Sequence, residues 1–441
     1  MEIGQTVRLA VDGVASQGQG VARHQGMAVF VDGALPGDVA EAEICFVGKR
    51  YAQAKIMRIV SPSPQRQEPP CPYFAACGGC VWQNAKYEAQ LEYKRQIVAG
   101  AIRRIAHISV EVPPVVASPA VYGYRNRSTW HWTPAGERSR FSLFAAGSHD
   151  FGGGVSCILA EEPVRETAAA LENILLPLAN RFSALRHITV RGNRQGQTVA
   201  ILTAAGDLPQ LERIAPQMLQ TAPRLTALWL NDGPTVSGVY GRNWHLLAGA
   251  PDFYDHFASW SFQVPPGAFL QVNRAQSENL LQWIGDMAAL QGRETVWDVY
   301  GGVGVIGVSL AAAARRVIGI ESYEPAAQQA AANAALNGSE NCRFYAGKAE
   351  KICLDLAQKA DCRPQVIVVD PPRSGCDAKV IQALCKSGAE RIIYVSCNPA
   401  TLARDLAQFT AQGYTVRRLQ PFDMFPQTCH VECVTLMMKA G

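Results

Sequence analysis

The chain has 441 residues, of which 48% are apolar and 18% charged, with a formal net charge of +4. That length exceeds what one hydrophobic core usually covers, so two or three domains are expected, and the composition excludes a disordered chain. No window approaches the roughly 20 apolar residues of a membrane span, and the small net charge does not by itself announce a nucleic-acid partner.

The opening MEIGQTVRLA has no apolar core long enough for a signal peptide, which points to the cytoplasm. In that reducing compartment the 13 cysteines read as core thiols, metal ligands or nucleophiles and not as disulfides. Arg125, Arg127, Arg138 and Arg140 can make a basic face; on charge alone they read as solvated surface.

Residues 1–60 read as a small β domain. The alternating runs VRLAVDGV, MAVFVDG, DVAEAEICFV and AKIMRIV are separated by Gly-rich turns, the pattern of a small barrel of the oligonucleotide-binding kind. SPSPQRQEPP reads as a linker. CPYFAACGGCVWQ then places Cys71, Cys77 and Cys80 within ten residues, with Gly78 and Gly79 permitting a tight wrap and Cys157 a candidate fourth ligand. Four thiolates suit tetrahedral zinc or a cubane iron–sulfur cluster, and spacing does not choose between them.

The rest of residues 61–264 reads as α+β. A helix is expected over YEAQLEYKRQIVAGAIRRIA, and strands over HITVRG, TVAILTA and ALWLND. Residues 265–441 alternate short apolar strands (TVWDVYG, RVIGIES, QVIVVDPP, RIIYVSC) with helical runs, the signature of an α/β Rossmann-like open parallel sheet. Such sheets bind ligands at the carboxyl ends of their strands, which directs attention to Tyr300, Gly301, Glu321, Asp370 and Cys397.

Gly302, Gly304 and Gly307 match G-x-G-x-x-G, compatible with a dinucleotide or with S-adenosylmethionine, and Glu321 can accept from a ribose hydroxyl pair in either. The two prolines of DPPR make a rigid acidic loop after its strand, better suited to holding a planar base or its methyl donor than to hydride chemistry. Cys397 stands where an apolar strand meets Asn398-Pro399, and Glu432 interrupts the apolar run of HVECVTLM, where an unpaired buried carboxylate is costly. A thiolate adding to carbon 6 of uracil makes carbon 5 nucleophilic, and a base must then remove the carbon 5 proton. Cys397 and Glu432 are the candidates for those two roles.

DVYGGVG, GIE, DPPR, YVSCNPATLARDL, FDMFPQTCHVE and FLQVN together resemble the motifs of the RNA uracil-5-methyltransferase family, which spans a bacterial tRNA enzyme and the large-subunit ribosomal RNA enzymes. The resemblance implies Cys397 as nucleophile, Glu432 as base, and Gln271, Tyr300, Glu321 and Asp370 as contacts to S-adenosylmethionine. It further implies a [4Fe-4S] cluster on Cys71, Cys77, Cys80 and Cys157, with zinc as the alternative. The barrel resembles a TRAM domain that grips RNA by phosphate contacts and stacking, and the target uracil must leave its stack.

The expected substrate is 23S rRNA, with tRNA as the alternative. A monomer is expected, with no membrane and no obligate protein partner. The chain departs from the family at Gly301, where cysteine is common, and at Lys348, where an acid is common. Two other classes, a nicotinamide-dependent oxidoreductase and a catalytically idle RNA-binding factor, are disfavoured by the Cys397–Glu432 pair.

Overall fold

The computed structural model describes residues 1–133, 140–206, 208–233 and 239–440. Arg138 of the expected basic face lies outside the described residues. Strands β1 (Thr6–Val14), β2 (Gly20–His24), β3 (Met27–Asp32), β4 (Val39–Val47) and β5 (Tyr51–Ser61) close into a barrel in the order β1-β2-β3-β5-β4. The alternation of β1 turns Val7, Leu9 and Val11 into the barrel, where they meet Val29, Val31, Ala42 and Ile44. Gly20 is required there: a Cβ would stand 2.8 Å from Val11 and 2.9 Å from the Ala34 carbonyl oxygen.

The segment expected as a linker is fastened to the barrel. Asp38, fully buried, accepts from the Ser63 amide at 2.8 Å and from the Arg66 guanidinium at 2.8 and 2.6 Å. Composition shows that such a segment lacks regular structure but not whether a buried carboxylate holds it.

Helix α1 (Tyr87–Ala101) continues through a π-helical turn, Ile102–Ala106. Its stripe of Val98, Ala101, Ile102 and Ala106 joins the core of the C-terminal sheet, not the central one. Periodicity reveals an apolar stripe, and only the fold says which sheet covers it.

The central sheet comprises β6 (Arg127–Thr133), β7 (Arg140–Phe144), β8 (Phe151–Gly153), β9 (Leu185–Gly192), β10 (Thr198–Ala204), β11 (Leu225–Asn231) and β12 (Trp244–Gly249), ordered β12-β11-β10-β9-β6-β7-β8. Helices α2 (Glu162–Leu175) and α3 (Pro209–Thr221) bury Val164, Leu171, Leu211 and Met218 in its core. A ribbon of β13 (Tyr254–Phe257) and β14 (Trp260–Gln263) follows, and then α4 (Arg274–Ala288).

The C-terminal sheet is built from β15 (Thr295–Val299), β16 (Arg316–Glu321), β17 (Cys342–Ala346), β18 (Val366–Val369), β19 (Arg391–Ser396), β20 (Tyr414–Phe422) and β21 (Glu432–Lys439). Its order is β17-β16-β15-β18-β19-β21-β20. Helices α5 (Val305–Ala311), α6 (Glu324–Leu336), α7 (Ala349–Ala357), α8 (Ala378–Ser387) and α9 (Pro399–Ala411) alternate with the strands.

The parallel pattern expected from sequence holds for β15 to β19, but β21 runs antiparallel to both neighbours. No crossover helix separates β20 from β21, so the two can pair only as an antiparallel couple. The strand order reverses between β15 and β18, opening a crevice at their carboxyl ends.

Candidate active site

The crevice begins where β15 ends. Tyr300 takes φ 66°, and the amides of Tyr300 and Gly301 both donate to the Ile320 carbonyl oxygen, at 2.9 and 3.2 Å. The chain thereby turns sharply over β16. Gly304, at φ 89°, sits at the start of α5, and the Gly307 amide donates to Asp298 Oδ2 at 2.8 Å. Asp298 is completely buried in β15, and its Oδ1 has no hydrogen-bond partner. Desolvation, with a smaller contribution from the Glu321 charge, pushes its carboxyl up to about 7. Sequence reading passed over Asp298, although an acid inside the apolar run TVWDV was a visible signal.

Glu321 ends β16 and spans the glycine turn. Its Oε2 accepts from the Gly302 amide at 3.1 Å, and its Oε1 from the Tyr323 amide at 2.8 Å and the Ser322 hydroxyl at 3.1 Å. Asp370 follows β18 directly, its amide donating to the Val299 carbonyl oxygen at 3.2 Å. It is partly exposed at the crevice, yet enclosed enough that desolvation and Asp298 raise its carboxyl. The Tyr300 ring packs toward the core.

Gln271 is half-buried in the segment leading to α4, which Asn273 caps by accepting from the Gln276 amide. The Asn126 side chain donates to the Gln271 carbonyl oxygen at 3.1 Å, and the Asn126 amide to that of Val272 at 2.8 Å. This stitches FLQVN to the residue that leads into β6. At Gly301 a Cβ would stand 3.0 Å from Asp298 Oδ2, so a cysteine there would require that carboxylate to shift. Lys348, at the start of α7, is exposed.

Cys397 follows the last residue of β19 and is half-buried. Ser396 pairs with Cys433 across to β21, and Glu432 is the first residue of that strand, opposite Phe422. The thiol and the carboxylate therefore leave neighbouring antiparallel strands at the same end of the sheet. Asn398 caps α9, its side chain accepting from the Ala400 amide, with Pro399 in the first helical position.

Arg373, which sequence reading also missed, joins these pieces. Its carbonyl oxygen accepts from Asn398 Nδ2 and Thr401 Oγ1, both at 3.2 Å. Its guanidinium stands 3.1 Å from the His430 ring nitrogens, and its charge favours the Cys397 thiolate. The signal was the cation of DPPR, set among acids.

Burial raises the Cys397 thiol to about 11; the Glu432 charge adds to this, and Arg373 opposes it. Glu432, 2% exposed, is itself held well above the ordinary carboxylate range by desolvation and then Asp370, again opposed by Arg373. His430 is lowered to about 4 by desolvation and Arg373, so its neutral ring can accept the guanidinium hydrogen bond.

Cys71, Cys77, Cys80 and Cys157 converge on one cavity, walled by Leu143 and Ile158 among others. The Gly79 amide donates to Cys77 Sγ at 3.4 Å, and Gln83 Nε2 to Cys80 Sγ at 3.1 Å. Desolvation raises Cys80 to about 12, and the neighbouring thiols add to it. Among the described residues, no three His, Cys, Asp or Glu side chains form a group placed to hold a metal ion. Soft sulfur donors around one cavity, whose thiolates would repel one another without a cation, are nonetheless the donor chemistry of an iron–sulfur or zinc site. Among the described residues no helix is long and apolar enough to cross a membrane.

Residues 258–440 match the family described as tRNA (Uracil-5-)-methyltransferase, and residues 1–57 match the TRAM domain. An uncharacterized RNA methyltransferase of Thermosynechococcus vestitus is 37% identical over 98% of this chain and 98% of its own length. One from Clostridium tetani is 34% identical over 99% and 97% respectively. The chain belongs to the RNA uracil-5-methyltransferase family. This RNA uracil-5-methyltransferase uses S-adenosylmethionine and acts on RNA. Its fold is shared with the Pyrococcus abyssi tRNA (uracil-54, C5)-methyltransferase solved with S-adenosyl-L-homocysteine, with a TM-score of 0.76 at 24% identity over 98% of this chain and 99% of that one.

Proposed function

We propose that the enzyme methylates carbon 5 of a uridine in 23S rRNA, with Cys397 as nucleophile and Glu432 as general base. The observation that carries this reading is that Cys397 and Glu432 leave adjacent strands at one end of the sheet, with Arg373 beside the thiol. Gln271, Tyr300, Glu321 and Asp370 are the residues proposed to hold S-adenosylmethionine. When bound, it supplies a methyl group made electrophilic by a sulfonium.

Cys397 loses its proton to solvent and forms a bond to carbon 6 of the flipped-out uracil, and the carbon 5–carbon 6 π pair moves onto the carbon 4 enolate. Arg373 favours the thiolate needed for that addition. After carbon 5 has gained the methyl group, Glu432 takes the carbon 5 proton, the double bond re-forms and the carbon 6–sulfur bond breaks. A carboxylate raised by burial is a stronger proton acceptor than an exposed one, which suits this step.

Cys71, Cys77, Cys80 and Cys157 are proposed as ligands of a [4Fe-4S] cluster, because thiols set around a cavity leave room for a group with its own volume; zinc is the alternative. We divide the chain at residues 60 and 264 into RNA-gripping, cluster-bearing and catalytic domains, and place the enzyme in the cytoplasm as a monomer. The second reading, tRNA as substrate, is favoured by the description of the matching family.

Tritium release from RNA labelled at uracil carbon 5 tests the proposal, with Cys397→Ala beside the wild type. Release by the wild type alone from unmodified ribosomal RNA is expected. Release from tRNA only would replace the substrate, and silence on both would overturn the chemistry.

A further inference from the structure

The loop 423–431 joins β20 to Glu432, and residues immediately following Cys80 hold it. The amides of Val81 and Trp82 donate to the Gln427 carbonyl oxygen at 3.0 and 3.1 Å. Gln427 takes φ 70°, a conformation that a non-glycine residue keeps only where its surroundings impose it. Those surroundings include Gln90 of α1, which is completely buried. Gln90 Oε1 accepts from the Gln427 amide at 3.0 Å, while its Nε2 donates to Gln427 Oε1 at 2.9 Å, to the Trp82 carbonyl oxygen at 3.0 Å and to that of Ala85 at 2.9 Å.

Further anchors fix the same loop. Lys94 of α1 forms a fully buried ion pair with Asp423 and donates to the Phe425 carbonyl oxygen at 3.0 Å. The Tyr124 hydroxyl donates to the Pro426 carbonyl oxygen at 3.0 Å. Beyond Gln427, Thr428 donates to the Phe425 carbonyl oxygen at 2.8 Å and accepts from the His430 amide at 3.2 Å. His430 meets Arg373, whose carbonyl oxygen accepts from Asn398, the residue after Cys397, and whose charge favours the Cys397 thiolate. Hydrogen bonds at Gln427 and at Thr428–His430, joined by the short backbone between them, thus lead from the residue after Cys80 to Arg373 beside the catalytic strand end.

We propose that loop 423–431 is a strut that transmits the arrangement of the four-cysteine site to the catalytic centre, with Gln427 as its positioning residue and the His430–Arg373 contact as its outlet. The inference rests on the reading of Cys397 as nucleophile and of the four cysteines as ligands. The middle segment of the chain then does more than hold the fold: disorder around Cys80 would release Gln427, let His430 drift and withdraw Arg373 from Cys397. Such coupling requires elements with few alternative arrangements, and a buried loop whose anchoring carbonyl and amide groups are all engaged is of that kind.

The test reads Cys397 without substrate, so it does not depend on which RNA is used or on turnover. The full-length protein is treated with iodoacetamide across a pH series, and alkylation of the Cys397 peptide is followed by mass spectrometry. Gln427→Asn tolerates the left-handed backbone and keeps the backbone bonds, but its side chain is too short to accept from Gln90 Nε2. Cys80→Ser perturbs the other end, and His430→Ala removes the outlet; thermal unfolding confirms that each variant is folded.

Each of the three is expected to move the alkylation midpoint upward by roughly 0.5 to 1 pH unit, reflecting weaker support of the thiolate by Arg373. Gln427→Asn combined with His430→Ala should shift it no further than the larger single change, because both act through one path. Unchanged midpoints in folded Gln427→Asn or Cys80→Ser, or shifts that add in the double variant, would overturn the strut. Should Cys80→Ser fail to fold, the Gln427→Asn and His430→Ala cycle alone decides. Loss of tritium release in the wild type, with the strut shifts intact, would instead count against the proposed chemistry.

Discussion

Replacing Glu432 by glutamine should separate the two halves of the reaction. The amide has nearly the carboxylate's shape, so the 2%-exposed site gains no cavity, but it can no longer accept a proton. Removal of the carbon 5 proton should slow by about 10²- to 10⁴-fold, the usual worth of a positioned general base. The addition step should respond in the opposite direction. With the thiol near 11, roughly one Cys397 in a thousand is ionised at pH 8, and the Glu432 charge is the second cause of that value after burial.

Where Glu432 is ionised, deleting its charge should lower the thiol by about one unit, so the variant should form its covalent bond to RNA at least as readily as the wild type. Methylated RNA bound to protein should therefore accumulate and survive denaturing electrophoresis. In the wild type, turnover should rise with pH as the raised carboxyl of Glu432 ionises, and this limb should vanish from the residual rate of Glu432→Gln. Turnover at the wild-type rate, or an inactive variant without trapped RNA, would refute Glu432 as the base that resolves the adduct.

Lys94→Met should cost about 3–5 kcal/mol in urea unfolding, because it strands Asp423 inside the protein, and Lys94→Met with Asp423→Leu should recover most of that loss. Cysteine-to-serine changes at Cys77 or Cys157 should reduce iron and acid-labile sulfide in anaerobically purified protein; zinc in their place would correct the cluster assignment. On the barrel, Phe46 and Tyr51 are 41% and 39% exposed with ring centroids 5.5 Å apart. Changing either to alanine should weaken binding of single-stranded RNA by about 1–3 kcal/mol for each stacked base lost, measured by filter retention.

Much of the fold was legible because its signals are local. The alternation of VRLAVDGV is enough to build a barrel wall, and the run of strand and helix from Thr295 onward is enough to build parallel βαβ units. The ends of those strands singled out Tyr300, Glu321, Asp370 and Cys397 as candidates because position at a carboxyl end is readable whatever the strand order, although the Tyr300 ring turns toward the core. The four cysteines were visible as a set for a similar reason, since three of them lie within ten residues.

What the sequence left open was decided by contacts between distant segments. Asp298 looked like one more strand residue until its burial beside Glu321 gave its carboxyl no partner for one oxygen. Arg373 looked like the end of a rigid loop until the fold turned it onto Cys397 and His430, 24 and 57 positions further along. Amino-acid order by itself determined which residues can do chemistry and that an open sheet would present them at its edge. Tertiary structure alone decided that β21 enters between β19 and β20, setting Glu432 beside Cys397, because strand order follows from how the whole chain buries its apolar faces and not from any local pattern.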